Sequence, residues 1–460
     1  MDNFSDFKVW GFISILAVLF GSLLVGNMLK KGIKPLQKSL IPTSVLGGAV
    51  LLIVAAIYKW ITGDVMFDTA FFNYNGTAML ELITYHTLAL GFIASTFKSG
   101  KGKLTRERTV EILNTGVTTV STYLMQGVLG LGITMIVALV IPGFFSAAGV
   151  LLPFGYGQGT GQALNYGNIF ETDFGFVGGK TFGLTVAALG FLSASIGGVI
   201  HLQILKRKKN IIPASVDEEA PLRIEEVQAD NEIPLQGGMD KMTVQIALVA
   251  VAYLVTYLLM LLLGNLLPGM RSVIYGFNFL LGVLAATLIK VLIRLLQKCR
   301  LSKRKYTNDF LMTRVSNFFF DVMVVAGIAA IRLGILEKYW GVILILGVVG
   351  FASTYLYEYF VAHTLFKAYK QEQFMMMYGM LTGTASTGII LLRELDSKFE
   401  TPAADNMVYQ NFPAIVLGFP IMFLATLAPT RPGLVLFILA AFFAVLNVFL
   451  FRSKIFKRKK

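Results

Sequence analysis

Thr160, Thr382, Thr384, Ser386 and Thr387 put hydroxyl oxygens into two glycine-rich stretches. These are Gly155-Tyr156-Gly157-Gln158-Gly159-Thr160-Gly161-Gln162-Ala163 and Tyr378-Gly379-Met380-Leu381-Thr382-Gly383-Thr384-Ala385-Ser386-Thr387-Gly388. Hydroxyls beside unwound backbone carbonyls are hard donors that suit sodium, and glycines let successive carbonyls converge because they tolerate positive φ. The same stretches suit an anion, because the N-terminus of a half-helix presents free N–H groups with partial positive charge. Gln158, Gln162 and Asn165 add neutral amides. The pattern predicts a site for a small cation and an anionic solute, built from Gln158, Gly159, Thr160, Gly161, Asn165, Thr382, Gly383, Thr384 and Ser386. Small residues also let membrane helices pack closely. The paired placement of the stretches, one in each half of the chain, favours a site.

Charges within apolar spans are costly and mark functional candidates. Asp321 lies mid-span with Asn317 four residues before it on the same helix face, a further pair of cation ligands if both face a cavity. An Asp bonded to a neighbouring helix is the equal alternative. The sodium candidates are therefore Thr160, Asp321, Thr384 and Ser386. Glu81, His86, Glu358 and His363 are read as satisfied structural groups ahead of a proton relay. Arg393 has a planar fork suited to a substrate carboxylate, against a local pair with Glu394 or Asp396 or a lipid phosphate. Gly175 to Thr181 imitates a phosphate loop, but Phe174 occupies the place of its first glycine. No metalloprotease or serine-hydrolase motif occurs, so the chain is not read as an enzyme.

The elements that must carry these residues are membrane helices. Of 460 residues, 55% are hydrophobic and 14% charged, with mean hydropathy +0.70; a soluble protein carries roughly 25% charge. The net charge of +14 sits in short loops at alternate span ends, which is the positive-inside pattern and not a nucleic-acid module. Attraction to anionic membrane lipid is secondary. The single Cys299 excludes a disulfide framework within one chain. Asp2 and Asp6 precede the first apolar run where a signal peptide carries Lys or Arg, so no cleavable signal is expected.

A ruler of roughly 20 residues per span gives Val9–Leu29, Leu40–Trp60, Ala78–Phe97, Ile112–Ile141 and Thr181–Leu205 in the first half. The second half gives Met242–Leu267, Val273–Leu296, Phe310–Leu333, Tyr339–Phe366 and Asn406–Leu427, and Leu434–Phe451 is an additional helix. Loop charges place the N-terminus outside and the C-terminus in the cytoplasm. Five spans per half then have inverted topology, an arrangement that underlies alternating access. The expected organisation is an all-α integral membrane protein of two inverted repeats, 1–205 and 242–429, each with a re-entrant loop, at 146–167 and 372–396. A cytoplasmic tether, 206–241, joins them, and 430–460 adds the last helix with a basic tail. The tips Gly159-Thr160-Gly161 and Gly383-Thr384-Ala385 would approach the midplane from opposite faces.

Gly157-Gln158-Gly159-Thr160-Gly161 resembles the Gly-His-Gly-Thr-Gly motif of the sodium/glutamate symporter family, with Gln158 in place of the His. Ile41-Pro42-Thr43-Ser44-Val45-Leu46-Gly47-Gly48 resembles the family's Ile-Pro-x-x-Val-x-Gly-Gly. The layout of opposed loops also corresponds, over Val9 to Leu427. The resemblance implies sodium-coupled symport of glutamate or a similar acidic amino acid, sodium as coupling ion without a further cofactor, a bacterial plasma membrane and a homodimer. A proton- or sodium-coupled carrier of a di- or tricarboxylate or hydroxyacid is the alternative, and a channel fits less well. One sodium per glutamate anion is electroneutral, so the membrane potential assists only if a second cation accompanies them.

Overall fold

The computed structural model describes residues 6–98, 105–207, 232, 238–276, 278–299, 304–396 and 400–455. Among them the chain is helical, with a lone bridge between Glu232 and Lys305 and no strand. Its helices are α1 (Phe7–Gly32), α2 (Thr43–Thr62), α3 (Gly76–Phe97), α4 (Arg106–Val140), α5 (Leu151–Phe174), α6 (Gly179–Arg207), α7 (Lys241–Leu266) and α8 (Asn278–Lys298). They continue with α9 (Asp309–Ala329), α10 (Trp340–Leu365), α11 (Lys370–Thr382), α12 (Ala385–Arg393), α13 (Ala403–Tyr409), α14 (Asn411–Leu427) and α15 (Pro432–Leu450).

Ten of the described helices are long and apolar enough to cross a membrane. Side chains such as Leu139 (87% exposed) and Trp60 (86% exposed) stand on their outer surfaces, where hydrocarbon is the natural solvent. The chain is an integral multi-pass membrane protein. Polar caps start several helices: Asp6 accepts from the Lys8 amide, Thr105 from Arg108 and Asp240 from Thr243.

One expected span is interrupted. Asn406–Leu427 is not one helix: α13 and α14 are separate and bent by 52°. Pro413 stands four residues after Tyr409, and without an N–H it cannot bond that carbonyl. The expected span Val273–Leu296 corresponds to Arg271–Gly276 and α8, and residue 277 between them lies outside the described residues. The first glycine-rich helix reaches Phe174 after a 3-10 turn at Ser146–Val150, and the second glycine-rich segment spans Lys370 to Arg393.

The chain groups into two units. Unit one comprises Met1–Glu81, Gly102–Val216 and Val324–Lys460; unit two comprises Leu82–Lys101 and Asp217–Met323. Unit two has its own core, including Ile93, Phe97, Val249, Ala286 and Met312. It also holds Glu232, from the segment expected to be a bare tether. That carboxylate is buried, with Lys241 Nζ at 2.8 Å and Asn308 Nδ2 at 2.7 Å. Residues 208–231 and 233–237 of the tether lie outside the described residues. In unit one, Phe374, Met375, Tyr378, Leu391 and Leu202 form a buried cluster beneath the second glycine-rich segment.

Candidate functional site

Both glycine-rich segments are broken helices, and each folds back on itself. In α5 the backbone leaves the helix at Gly159, with φ 79° and ψ −171°, a combination essentially restricted to glycine. Phe154 and Tyr166 would stand about 18 Å apart along a straight helix. Their rings are instead stacked 3.9 Å apart, at 6°. Gly155 and Ala163, on opposite sides of the break, meet the same turn of α6, at Ala187 and Gly183. In the second segment α11 ends at Thr382, Gly383 departs from helical geometry (φ −139°, ψ −106°), and Thr384 caps α12. A Cβ at Gly388 would lie 2.6 Å from the Met376 carbonyl oxygen, so the two arms touch backbone to backbone. Each turn therefore joins a helix C-terminus, with its partial negative charge, to a helix N-terminus of the opposite sign.

The two breaks converge within unit one. A Cβ at Gly190 of α6 would stand 2.4 Å from the Thr382 carbonyl oxygen and 3.3 Å from the Tyr156 Cα, so both segments press on one residue. Gln126 of α4 spans them. Its Nε2 donates to the Leu381 carbonyl (3.1 Å) and to Thr354 Oγ1 (2.9 Å), and its Oε1 lies beside Gly157. Tyr123 donates to the Gly157 carbonyl (3.2 Å). The Tyr156 hydroxyl meets the Gly347 carbonyl (2.7 Å) and Ser193 Oγ (2.9 Å), while Tyr378 donates to the Ser193 carbonyl (2.7 Å). Among the described residues, three buried amide atoms around the two segments have no hydrogen-bond partner: Gln126 Oε1, Gln162 Nε2 and Gln410 Oε1. Leaving such atoms unpaired is costly. Two are acceptors and one is a donor, the combination needed to receive a cation and an anion.

The sodium/glutamate symporter family model matches residues 10–400. The chain belongs to this family. A comparison with curated proteins found no match. Members of this family are symporters, which are not an enzyme class.

Of the residues expected in this symporter's site, Gly159 makes the first break and Gly161 is buried behind it, while Gln158 is half-buried. Thr160 is fully buried, its side chain packed on Gly327 of α9. Asn165 donates to Gln162 Oε1 at 2.9 Å. Thr382 is fully buried and donates to the Tyr378 carbonyl (2.6 Å). Gly383 and Thr384 form the second turn, with Thr384 Oγ1 3.4 Å from Thr387 Oγ1. Ser386 lies in the first turn of α12, its side chain outside the described residues. Arg393 stands exposed at the other end of α12, a helix rise of about 12 Å from the break. Asp321 is half-buried and Asn317 exposed, both on α9 in unit two.

Absent from the sequence expectation are Gln126, Tyr156, Tyr378 and Thr354. For Gln126 a signal exists. Thr118, Thr122 and Gln126 recur every four residues in an otherwise apolar span, which marks one polar helix face. For the tyrosines there is none, because a membrane-helix tyrosine reads equally well as an interfacial anchor.

Proposed function

We propose that the chain is a secondary transporter that couples sodium entry to uptake of glutamate or a similar acidic amino acid by alternating access. What carries this reading is the meeting of two folded-back helices across Gly190, bridged by Gln126, in a member of the sodium/glutamate symporter family. Carbonyls ending the first arms, with Thr160, Thr384 and Gln126 Oε1, would hold sodium. Amides opening the second arms, with Gln162 Nε2, would hold the substrate carboxylates. Ser386 belongs to the same turn. We place the two segments as re-entrant loops of inverted repeats, entering from opposite faces, with the N-terminus outside, the C-terminus cytoplasmic and a homodimer as the assembly. Rocking of one repeat against the other would expose the site alternately.

The test is uptake of radiolabelled glutamate into proteoliposomes under an inward sodium gradient. Saturable uptake with counterflow is expected, and replacing sodium by choline should abolish it. Uptake that is indifferent to choline would overturn sodium coupling. Citrate uptake without glutamate uptake would transfer the reading to a tricarboxylate carrier.

A further inference from the structure

Glu358 of α10 takes no part in the site described above, yet it lies one helical turn from it. Thr122 and Gln126 are four residues apart on α4, and Thr354 and Glu358 are four apart on α10. Two cross-helix rungs result: Gln126 Nε2 to Thr354 Oγ1 (2.9 Å) and Thr122 Oγ1 to Glu358 Oε1 (2.5 Å). The first rung also grips the Leu381 carbonyl beside the second break.

Thr122 Oγ1 is also 2.9 Å from the Thr118 carbonyl oxygen, which can only accept. A hydroxyl has one proton. If Thr122 gives it to Thr118, the short contact with Glu358 needs a proton from the carboxyl group. The other arrangement, an ionised Glu358 accepting from Thr122, leaves a full charge 1% exposed in a span and held by one hydroxyl.

Among the described residues no ion pair involves Glu358. Five helices pack against α10: α4, α5, α6 and α11, and α15 through Tyr357. On α5, Tyr156 is bonded to Gly347 and Ser193, and Glu171 accepts from the Lys180 amide. On α4, Tyr123 is bonded to Gly157, and Arg108 pairs with Glu111. On α6, His201 bonds Tyr355 and Gln371, Lys180 pairs with Glu81, and Lys206 and Arg207 lie in the last turn. On α11, Tyr378 bonds Ser193, and Lys370 and Glu372 lie in the first turn. On α10 itself, Tyr357 donates to Asn447 Oδ1 and His363 lies in the last turn. The α15 sequence contains no titratable residue.

We propose that Glu358 binds a second transported cation, a proton, held as the neutral carboxylic acid opposite Thr122 and carried along with sodium and the acidic substrate. The inference rests on the symport reading above. The carboxylate takes the proton from outside water, and gives it to cytoplasmic water once release of Leu381 opens the rungs. One proton added to one sodium and one anionic substrate makes each cycle electrogenic.

Two measurements test it. Infrared difference spectra of the purified protein, wild type minus Glu358→Gln at neutral pH, should contain a D2O-sensitive carboxylic-acid band. Its absence would overturn the proton site whatever solute is carried. In proteoliposomes with a trapped pH dye, wild-type glutamate uptake should acidify the lumen. An inside-negative potential of ~100 mV should raise accumulation by roughly fifty-fold. Glu358→Gln should retain sodium-dependent counterflow but lose acidification and the response to potential; Glu358→Asp should restore part of both. Unchanged acidification in Glu358→Gln would overturn the proposal. Loss of sodium-dependent counterflow in the wild type would instead refute the symport reading, with the infrared result still deciding the state of Glu358.

Discussion

Gly159 and Thr160 divide the labour at the first break: one permits the turn and the other lines it. Any Cβ at φ 79° and ψ −171° is strained by about 1–3 kcal/mol. Gly159→Ala should therefore lower the unfolding midpoint of detergent-solubilised protein and reduce uptake, whereas Gly21→Ala, with nothing within 4 Å of an added Cβ, should do neither. Thr160→Val keeps the shape packed against Gly327 and removes only the hydroxyl, and Thr384→Val does the same at the second turn. Each should raise the sodium concentration for half-maximal uptake by about tenfold, the effect of roughly 1.4 kcal/mol, with little change in the amount of folded protein. An unchanged sodium dependence in both variants would remove these hydroxyls from the site.

At the scale of elements, α6 serves as the anvil for both folded-back helices. Gly179 and Gly183 admit the backbone of α5, and Gly190 admits Thr382 of α11. Because the nearest atom at Gly190 is a backbone oxygen at 2.4 Å, it cannot rotate away as a side chain would. Gly190→Ala should cost about 1–3 kcal/mol by overpacking and should depress uptake more than glutamate binding, by pushing the two breaks apart. Isothermal titration alongside flux separates the two effects. The base of α11 is tied more conventionally: Gln373 donates to Thr115, and Asn406 of α13 bonds Gln373 and Tyr369. The bend between α13 and α14 thus brings a polar residue to the foot of the second segment, where a straight span would put it elsewhere.

At the scale of the whole molecule, charge and burial give two further expectations. Cys299 is an exposed free thiol in a basic loop. With the proposed orientation, a membrane-impermeant maleimide should label it in inside-out vesicles and leave right-side-out vesicles unlabelled; the reverse pattern would invert the topology. In unit two, Glu232 and Lys241 are 2% and 1% exposed. Removing one partner of a buried pair costs up to about 3–5 kcal/mol, less here because Lys305 Nζ stays 3.5 Å from the Glu232 carboxylate. Lys241→Met should therefore destabilise the protein measurably by thermal unfolding in detergent, even though Glu232 belongs to a segment whose composition suggests only a tether.

The sequence alone located ten apolar helices long enough to cross a membrane, because length and apolarity are additive along a chain and require no knowledge of neighbours. It also located both breaks, at Gly159 and Gly383, because backbone freedom is a property of the residue itself. Only the tertiary structure decided that the breaks meet across Gly190, that Gln126 joins them, and that Glu358 faces a threonine and forms no ion pair among the described residues. Those facts depend on which helix face meets which, and hydropathy says little about rotation when lipid and protein interior are equally apolar. The interrupted span at Gln410 escaped for a related reason. Its apolar run is long enough to cross a bilayer, and the missing hydrogen bond of one proline breaks it without altering its hydropathy.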